Sequence, residues 1–210
     1  MLLAIDTSAG SSVAVVDLDR GILAERASSD TRRHAEVIGS FIVECLAESG
    51  VTPTALSGVA AGMGPGPFTG LRVGIAAAQA FALAIGKPVV RVVSHDAVAS
   101  AHYALGGSKP MLVVTDARRR EVYWSAYRGI DEAGLPERVD GPALVRPADL
   151  PEAVPDYDGY ARLDAAEVSA GALGMLAERM FANGRTFAGA APLYLRSPDV
   201  TVSAGPKRVS

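Results

Sequence analysis

The sequence predicts an α/β protein with two lobes, the second smaller than the first. Three predicted strands come first, and helices then alternate with strands, giving the order βββαβαβα. An apolar strand that ends in Asp and is followed by a turn and a second strand occurs at residues 2–16 and again at residues 111–127. This repeat indicates two related lobes, residues 1–106 and residues 107–210.

The strands of the first lobe are short apolar runs separated by polar turns. Residues 2–5, 13–16 and 22–27 are close enough in sequence to form an antiparallel meander. Residues 58–61 and 89–93 are the two strands that alternate with helices.

Two helices of the first lobe carry strong apolar patterns. Residues 30–49 have apolar side chains at the i, i+3, i+4, i+7 spacing of an amphipathic helix. Residues 68–85 follow a glycine–proline loop, with Thr69 as the expected N-cap and Gly86 just past the end. Arg72 is the only charged residue in this second helix, and a helix that is apolar all round is covered on more than one side. Its short, Ala-rich sequence with one Arg argues against a membrane span, so we expect a second helix to cover it, from this chain or another.

The rest of the chain is less regular. A third helix is predicted at residues 96–105, followed by a glycine-rich hinge. Residues 129–163 read as loops with short strands, and residues 165–183 as a helix. The tail from Ser197 is expected to be mobile.

Composition excludes several functional classes. The net charge is -3 and the only basic run is Arg118 to Arg120, so a protein that binds nucleic acid by itself is not expected. The single cysteine, Cys45, excludes an internal disulfide and a multi-cysteine metal site. The N-terminus has no basic region before Asp6, so we expect a cytoplasmic protein without a signal peptide.

No complete catalytic site emerges from the polar residues. The glycine loop at residues 62–74 lacks the Lys and Ser/Thr of a P-loop and the spacing of a dinucleotide fingerprint. A metal pair on a helix needs His at i and i+4, but Ala99 follows His95 and Ile38 follows His34 at that spacing. We therefore predict no catalytic residues and no metal site, which favours a role in binding or assembly.

Two aspartates occupy equivalent positions at the ends of the repeated strands. Asp6 and Asp116 could hold a metal–phosphate group in a duplicated nucleotide-binding fold, or each could cap its own turn. Together with Thr7 and Ser8 they are the candidates for residues near a nucleotide.

Five motifs occur in the order of a known family. They are residues 4–8 (AIDTS), 33–36 (RHAE), 64–74 (GPGPFTGLRVG), 116–123 (DARRREVY) and 192–196 (PLYLR). Together they resemble the TsaB (YeaZ) family, and the match runs from residue 2 to residue 196. The resemblance implies an actin-like ASKHA fold of two ribonuclease-H-like lobes with mixed sheets, the second lobe reduced.

The resemblance also implies a function. Members take part in making N6-threonylcarbamoyladenosine (t6A) at adenosine 37 of tRNAs that read ANN codons, and this subunit does no chemistry itself. It implies a homodimer when the chain is alone, a dimer with the catalytic paralogue TsaD, and a TsaE-type ATPase as a further partner. The chain would have no cofactor of its own, with ATP and metal on the partners, and would reach tRNA only through the complex.

The resemblance puts the dimer contact on the first two helices. The implied contact residues are Val37, Ile38, Phe41, Ile42, Cys45, Gly70, Val73, Gly74, Ala77 and Ala78. Small residues four apart let another backbone approach, so a bulky residue at Gly74 is expected to weaken the dimer.

Two alternatives stay open. One is an ATPase or small-molecule kinase of the same fold that uses Asp6. The other is a metallopeptidase, in line with the older glycoprotease label of the superfamily. The catalytic paralogue has a His-x-x-x-His metal pair where this chain has His95 and Ala99, so the metal site looks lost.

Overall fold

The computed structural model describes residues 1–196, and the expected mobile tail from Ser197 lies outside them. The first lobe is built on a mixed five-stranded sheet of order β3-β2-β1-β4-β5. Its strands are β1 (Leu2–Asp6), β2 (Ser11–Asp17), β3 (Gly21–Ser28), β4 (Gly58–Gly62) and β5 (Val89–Val92). The first three strands form the antiparallel meander, and β4 pairs in parallel with β1 and with β5. The predicted order βββαβαβα is confirmed.

Three helices follow the meander: α1 (His34–Ser49), α2 (Phe68–Ile85) and α3 (Ser94–Ala104). The expected start of α1 at residue 30 is wrong, because residues 30–33 form a turn in which the Arg33 N–H donates to the Asp30 carbonyl. Thr69 is not the N-cap of α2, because the helix begins directly after the extended residue Pro67 and Thr69 lies exposed in the first turn. Gly86 ends α2 in a left-handed conformation, as predicted.

The second lobe contains a four-stranded sheet of order β8-β7-β6-β9. Its strands are β6 (Met111–Asp116), β7 (Val122–Ile130), β8 (Pro136–Val145) and β9 (Ala161–Asp164), with the short helix α4 (Leu150–Ala153) beside them. The ten-residue strand β8 lies in a region expected to hold only loops and short strands. It is an edge strand, and edge strands tolerate the proline and the charged residues that concealed it in the sequence.

The last helix, α5 (Ala170–Ala182), returns to the first lobe. Leu173 and Leu176 pack with Ala4 and Val16 of the first sheet. The helix begins later than residue 165 because Ser169 caps it, accepting a hydrogen bond of 2.9 Å from the Ala172 N–H. Although α5 falls within residues 107–210, the predicted second lobe, it packs on the sheet of the first lobe.

The first sheet is covered on both faces. One face packs against α1 and α2 in a core that includes Leu3, Ile5, Ile38 and Leu71. The other face packs against α5. The glycine loop between β4 and α2 and the turn between β6 and β7 face each other where the two lobes meet.

Candidate functional site

Asp6 at the end of β1 is closed off by its own chain. The residue is 2% exposed, and its Oδ1 accepts hydrogen bonds from the Ser8 N–H (2.8 Å) and the Ser8 hydroxyl (2.6 Å). Its Oδ2 accepts from the Ser94 hydroxyl (2.6 Å), and Ser94 Oγ in turn accepts from the Gly64 N–H (3.0 Å). The carboxylate thus ties the turn after β1 to the glycine loop and to the start of α3. Burial raises the pKa of Asp6, and hydrogen bonds from Ser8 and Ser94 and the nearby His34 offset part of that effect.

Small residues let the glycine loop and α2 approach the end of β1. A Cβ at Gly62 would lie 1.8 Å from Asp6 Oδ2, and one at Gly74 would lie 2.2 Å from Thr7 Oγ1. Thr7 is itself buried and donates a 2.7 Å hydrogen bond to the Gly70 carbonyl. Thr7 and Ser8 therefore act in packing this junction.

Asp116 at the end of β6 has a different environment. Its side chain is 66% exposed, it pairs with Arg118 at 3.6 Å, and it accepts a 2.8 Å hydrogen bond from the Arg118 N–H. Of the four candidates for residues near a nucleotide, Asp116 is exposed, whereas Asp6, Thr7 and Ser8 are buried. The two aspartates do not form a pair of open carboxylates.

His95 lies fully buried where the lobes meet. Its Nδ1 is 2.8 Å from Ser125 Oγ and its Nε2 is 2.9 Å from Thr115 Oγ1, so both ring nitrogens are held by the second sheet. Burial, with the nearby charge of Arg138, lowers the pKa of His95 to about 3. Ala99, one turn further along α3, is also fully buried. Within residues 1–196 no three His, Cys, Asp or Glu side chains are grouped closely enough to hold a metal ion.

A cleft of about 440 Å³ opens between the glycine loop and the turn that follows β6. Its walls are residues 66–69 on one side and Ala117, Arg118 and Arg119 on the other, with Tyr123, Tyr194 and Arg196 between them. We refer to this space as the inter-lobe cleft.

Aromatic rings and an arginine line the α2 side of the inter-lobe cleft. The ring centroids of Phe68 and Tyr194 are 4.7 Å apart, and the Arg72 guanidinium carbon lies 4.4 Å from the Phe68 centroid. Arg196 pairs with Glu121 and donates to the Ala117 carbonyl at 3.2 Å. Sequence reasoning assigned no role to Phe68, Tyr194 or Arg196, although all three lie in the motifs that carry the family resemblance.

The ten residues predicted for the dimer contact differ in burial within the chain's own fold. Six of them are buried: Ile38, Ile42, Cys45, Gly70, Gly74 and Ala78. Cys45, for example, donates its thiol to the Val13 carbonyl at 3.2 Å, and burial raises its pKa to about 11. The other four, which are half-buried, are Val37, Phe41, Val73 and Ala77.

Apolar side chains are nevertheless exposed on the outer sides of both helices, most of them on α2. Val43 on α1 is 67% exposed and Leu83 on α2 is 84% exposed. The remaining exposed apolar residues of α2 are Ala76, Ala80 and Ala84. By length and composition α2 is the one helix of residues 1–196 that could cross a membrane, but 33% of its residues are buried in the chain's own fold. We call this surface the α1–α2 face. The sequence pattern did not indicate Val43 and Leu83 as contact residues, because it emphasises the periodic apolar residues of each helix, most of which face the core.

Comparison with known proteins agrees with this architecture. The family model described as "TsaD: tRNA N6-adenosine threonylcarbamoyltransferase" matches residues 12–177. An uncharacterized protein of Mycobacterium tuberculosis is 39% identical over 202 residues, which covers 94% of this chain and 92% of the relative. The "tRNA threonylcarbamoyladenosine biosynthesis protein TsaB" of Escherichia coli is 31% identical over 224 residues, covering 93% of this chain and 94% of that protein.

Solved structures show the same relationship. An uncharacterized Pseudomonas aeruginosa protein with similarity to peptidase YeaZ superposes with a TM-score of 0.76 at 29% identity, covering 93% of this chain and 99% of that one. The structure of YeaZ from the same organism superposes with a TM-score of 0.72 at 29% identity, covering 87% of this chain and 92% of that one. The two mixed sheets, the matched relatives and the motifs together show that the chain belongs to the TsaB (YeaZ) family.

Proposed function

We propose that this chain is a subunit of the machinery that transfers a threonylcarbamoyl group to N6 of adenosine 37 in tRNAs that read ANN codons, and that it acts as a non-catalytic scaffold. The observation that carries the proposal is the uncovered α1–α2 face. The name of the E. coli relative supports the pathway.

The α1–α2 face has the properties of a surface made for a protein partner. From Val73 to Ile85 the helix α2 contains no charged residue, and only its inner side packs on the sheet. Exposed apolar side chains on a helix face are unfavourable in water, and exposed apolar patches mark interaction sites. The occupant that fits is a second pair of helices of the same shape, from a copy of this chain or from a TsaD-like paralogue.

The buried polar groups support the absence of chemistry in this subunit. Both carboxylate oxygens of Asp6 accept hydrogen bonds from the chain itself, three in all, and the residue is only 2% exposed, so it offers little open carboxylate to a metal–phosphate group. Both nitrogens of His95 are occupied by hydroxyl groups, and its expected partner position is Ala99. These contacts weigh against the kinase and metallopeptidase alternatives.

The proposal includes the partners and the cofactors. The chain forms a homodimer when alone and exchanges that contact for a TsaD-like catalytic paralogue, and a TsaE-like ATPase joins the assembly. ATP and metal bind to the partner subunits, and the complex is cytoplasmic.

Reconstituted transfer tests the proposal. Purified catalytic paralogue, ATPase and tRNA are combined with the threonylcarbamoyl donor in the presence and absence of this chain, and t6A is measured by mass spectrometry of the digested tRNA. We expect transfer to need the chain, and the chain alone to hydrolyse neither ATP nor peptides. Transfer that is equally fast without the chain would contradict the scaffold role. ATP turnover by the isolated chain, lost in Asp6→Ala, would establish the kinase or ATPase alternative.

A further inference from the structure

We propose that the inter-lobe cleft binds an unpaired strand of RNA, so that this subunit contacts the tRNA directly within the complex. The inference rests on the proposed function, because that function supplies the RNA. It goes further in assigning a nucleic-acid surface to this chain, where the sequence led us to expect contact with tRNA only through other subunits.

The first observation is the distribution of charge. Arg118 donates a hydrogen bond to Thr31 of the turn before α1, which brings the turn after β6 next to Arg32 and Arg33. Three arginines, Arg118, Arg119 and Arg196, line the inter-lobe cleft, and Arg72 stacks on its lining residue Phe68. Three more are their sequence neighbours: Arg120 in the same turn, and Arg32 and Arg33 beside Thr31. Four of these arginines pair with carboxylates, those of Asp30, Glu36, Asp116 and Glu121. The whole chain carries a net charge of -3, so a group of seven arginines contrasts with its overall charge.

The second observation is the aromatic pair in the same cleft. Phe68 and Tyr194 are both half-buried, and their ring centroids are 4.7 Å apart, whereas the third lining ring, Tyr123, is buried. Proteins that bind single strands combine a basic groove for the phosphates with aromatic rings on which the bases stack. The inter-lobe cleft offers both elements within one space of about 440 Å³, which accommodates one nucleotide unit.

The third observation is the backbone of the turn after β6. Arg118, Arg119 and Arg120 have φ angles of 64°, 54° and 62°, three consecutive non-glycine residues in the left-handed region. Each such residue costs of order 1 kcal/mol relative to an ordinary conformation, and strain of this kind is concentrated at functional sites. The Ala117 N–H donates to the Glu121 carbonyl across the turn, and Arg196 donates to the Ala117 carbonyl, so the fold fixes this conformation at the mouth of the cleft.

The same residues favour a strand over a free nucleoside triphosphate. A triphosphate is normally held with a divalent metal and an open carboxylate, and Asp6, which contacts the glycine loop through Ser94, is buried and accepts three hydrogen bonds from its own chain. Arg32 and Arg33 of the turn before α1 are not part of the cleft lining, so arginines are also present beyond it. Several phosphates spaced along a strand match this arrangement better than one terminal group.

Binding of labelled tRNA to the reconstituted complex tests the inference. The complex of this chain with its catalytic partner is titrated into fluorescent tRNA at several KCl concentrations. In the double variant Arg32→Gln/Arg118→Gln we expect roughly tenfold weaker binding at 0.1 M salt and a slope of log K against log [KCl] that is smaller by about 1.4, because two phosphate contacts are lost.

A matched variant controls for loss of charge as such. Arg128 and Arg162 lie at the other end of the second sheet, are exposed, and each pairs with a carboxylate, as Arg32 and Arg118 do. Arg128→Gln/Arg162→Gln removes the same charge and should leave both the affinity and the salt slope unchanged. Equal effects in the two double variants would overturn the assignment of the cleft.

A third variant separates stacking from phosphate contact. Tyr194→Ala should weaken tRNA binding several-fold while leaving the salt slope unchanged, since a ring that stacks on a base releases no counterions. Thermal unfolding of this variant confirms that the chain is folded.

The outcomes separate this inference from the proposed function. If the Arg32→Gln/Arg118→Gln complex keeps its mass by light scattering and binds tRNA with unchanged affinity and salt slope, the cleft does not bind RNA, while the scaffold role still holds. If AMP, ADP or ATP at millimolar concentration binds the isolated chain, loses that binding in Tyr194→Ala, and displaces no tRNA from the complex, the cleft is a nucleotide site and the RNA assignment is wrong. Loss of tRNA binding confined to the cleft variants supports the inference.

Discussion

Strands β1 and β6 share the same sequence pattern, but the aspartates that end them lie in opposite environments. Asp6 is 2% exposed and all its contacts are inside the first lobe, whereas the side chain of Asp116 is 66% exposed beside a strained basic turn. The repeated strand therefore does not imply a repeated site. The end of β1, at Asp6, holds neighbouring segments of the first lobe together. The end of β6, at Asp116, lies with the start of α2 beside the solvent-exposed inter-lobe cleft.

The largest expected effect comes from filling the space beside Asp6. A methyl group at Gly62 would lie 1.8 Å from Asp6 Oδ2, and the carboxylate is fixed by three hydrogen bonds. We expect Gly62→Ala to lower the free energy of unfolding by about 3 kcal/mol or more, measured by urea denaturation.

Gly39 provides the matched control, because nothing lies within 4 Å of a Cβ at that position in α1. Gly39→Ala should stabilise the chain by up to about 1 kcal/mol, the ordinary difference between Gly and Ala in a helix. Similar free energies of unfolding for Gly62→Ala and Gly39→Ala would show that the structure around Asp6 can accommodate a methyl group at position 62.

The next effect compares the two aspartates directly. Asp6→Ala leaves the hydroxyls of Ser8 and Ser94 and the Ser8 N–H without their buried acceptor. We expect a loss of about 2 kcal/mol in the free energy of unfolding. Because Asp116 is exposed, Asp116→Ala should change the free energy of unfolding by no more than about 0.5 kcal/mol. Equal losses from the same urea titrations would remove the contrast between the two strand ends.

A smaller effect is the pH dependence of the free energy of unfolding, which involves His95 where the two lobes meet. The folded-state pKa of His95 is about 3, below the ordinary value of 6.5. Between these values the unfolded chain binds a proton that the folded chain does not, so stability falls as pH decreases from 6.5. The contribution is at most about 1.4 kcal/mol per pH unit.

His95→Gln removes this titration while keeping a side chain that can hydrogen-bond to Ser125 and Thr115. Urea unfolding at pH 7.5 and pH 5.0 should therefore show a smaller loss of stability in the variant than in the original chain. Asp6, Asp96 and His34 also have shifted pKa values but are present in both proteins, so their effects cancel in the comparison. Identical losses would contradict a neutral, buried His95.

The sequence predicts the strands and the order of elements well because these depend on local patterns. Residues 2–5 and 111–116 were recognised from continuous apolar runs, and Gly86 ends α2 as its position indicated. Strand β8 was missed because its edge position permits Gly141, Pro142 and several charges, which together resemble a loop.

The candidate site was harder to predict from the sequence than the fold, because it depends on tertiary contacts between residues that are distant in the chain. Ile38 and Ile42 were assigned to a partner, but an apolar stripe indicates burial without saying against what, and here it packs on the chain's own sheet. The inter-lobe cleft joins residues as distant in sequence as Phe68 and Tyr194. No local pattern contains that contact.

The central claim is that the chain works by docking through the α1–α2 face. Its most direct test is the pair Leu83→Glu and Leu105→Glu, since these leucines are 84% and 90% exposed and only Leu83 lies on that face. The readouts are the mass of the chain with its catalytic paralogue by light scattering and the rate of threonylcarbamoyl transfer. We expect Leu83→Glu to lose both the complex and transfer while remaining folded, and Leu105→Glu to keep both. A Leu83→Glu chain that still forms the complex and supports transfer at the original rate would contradict the account.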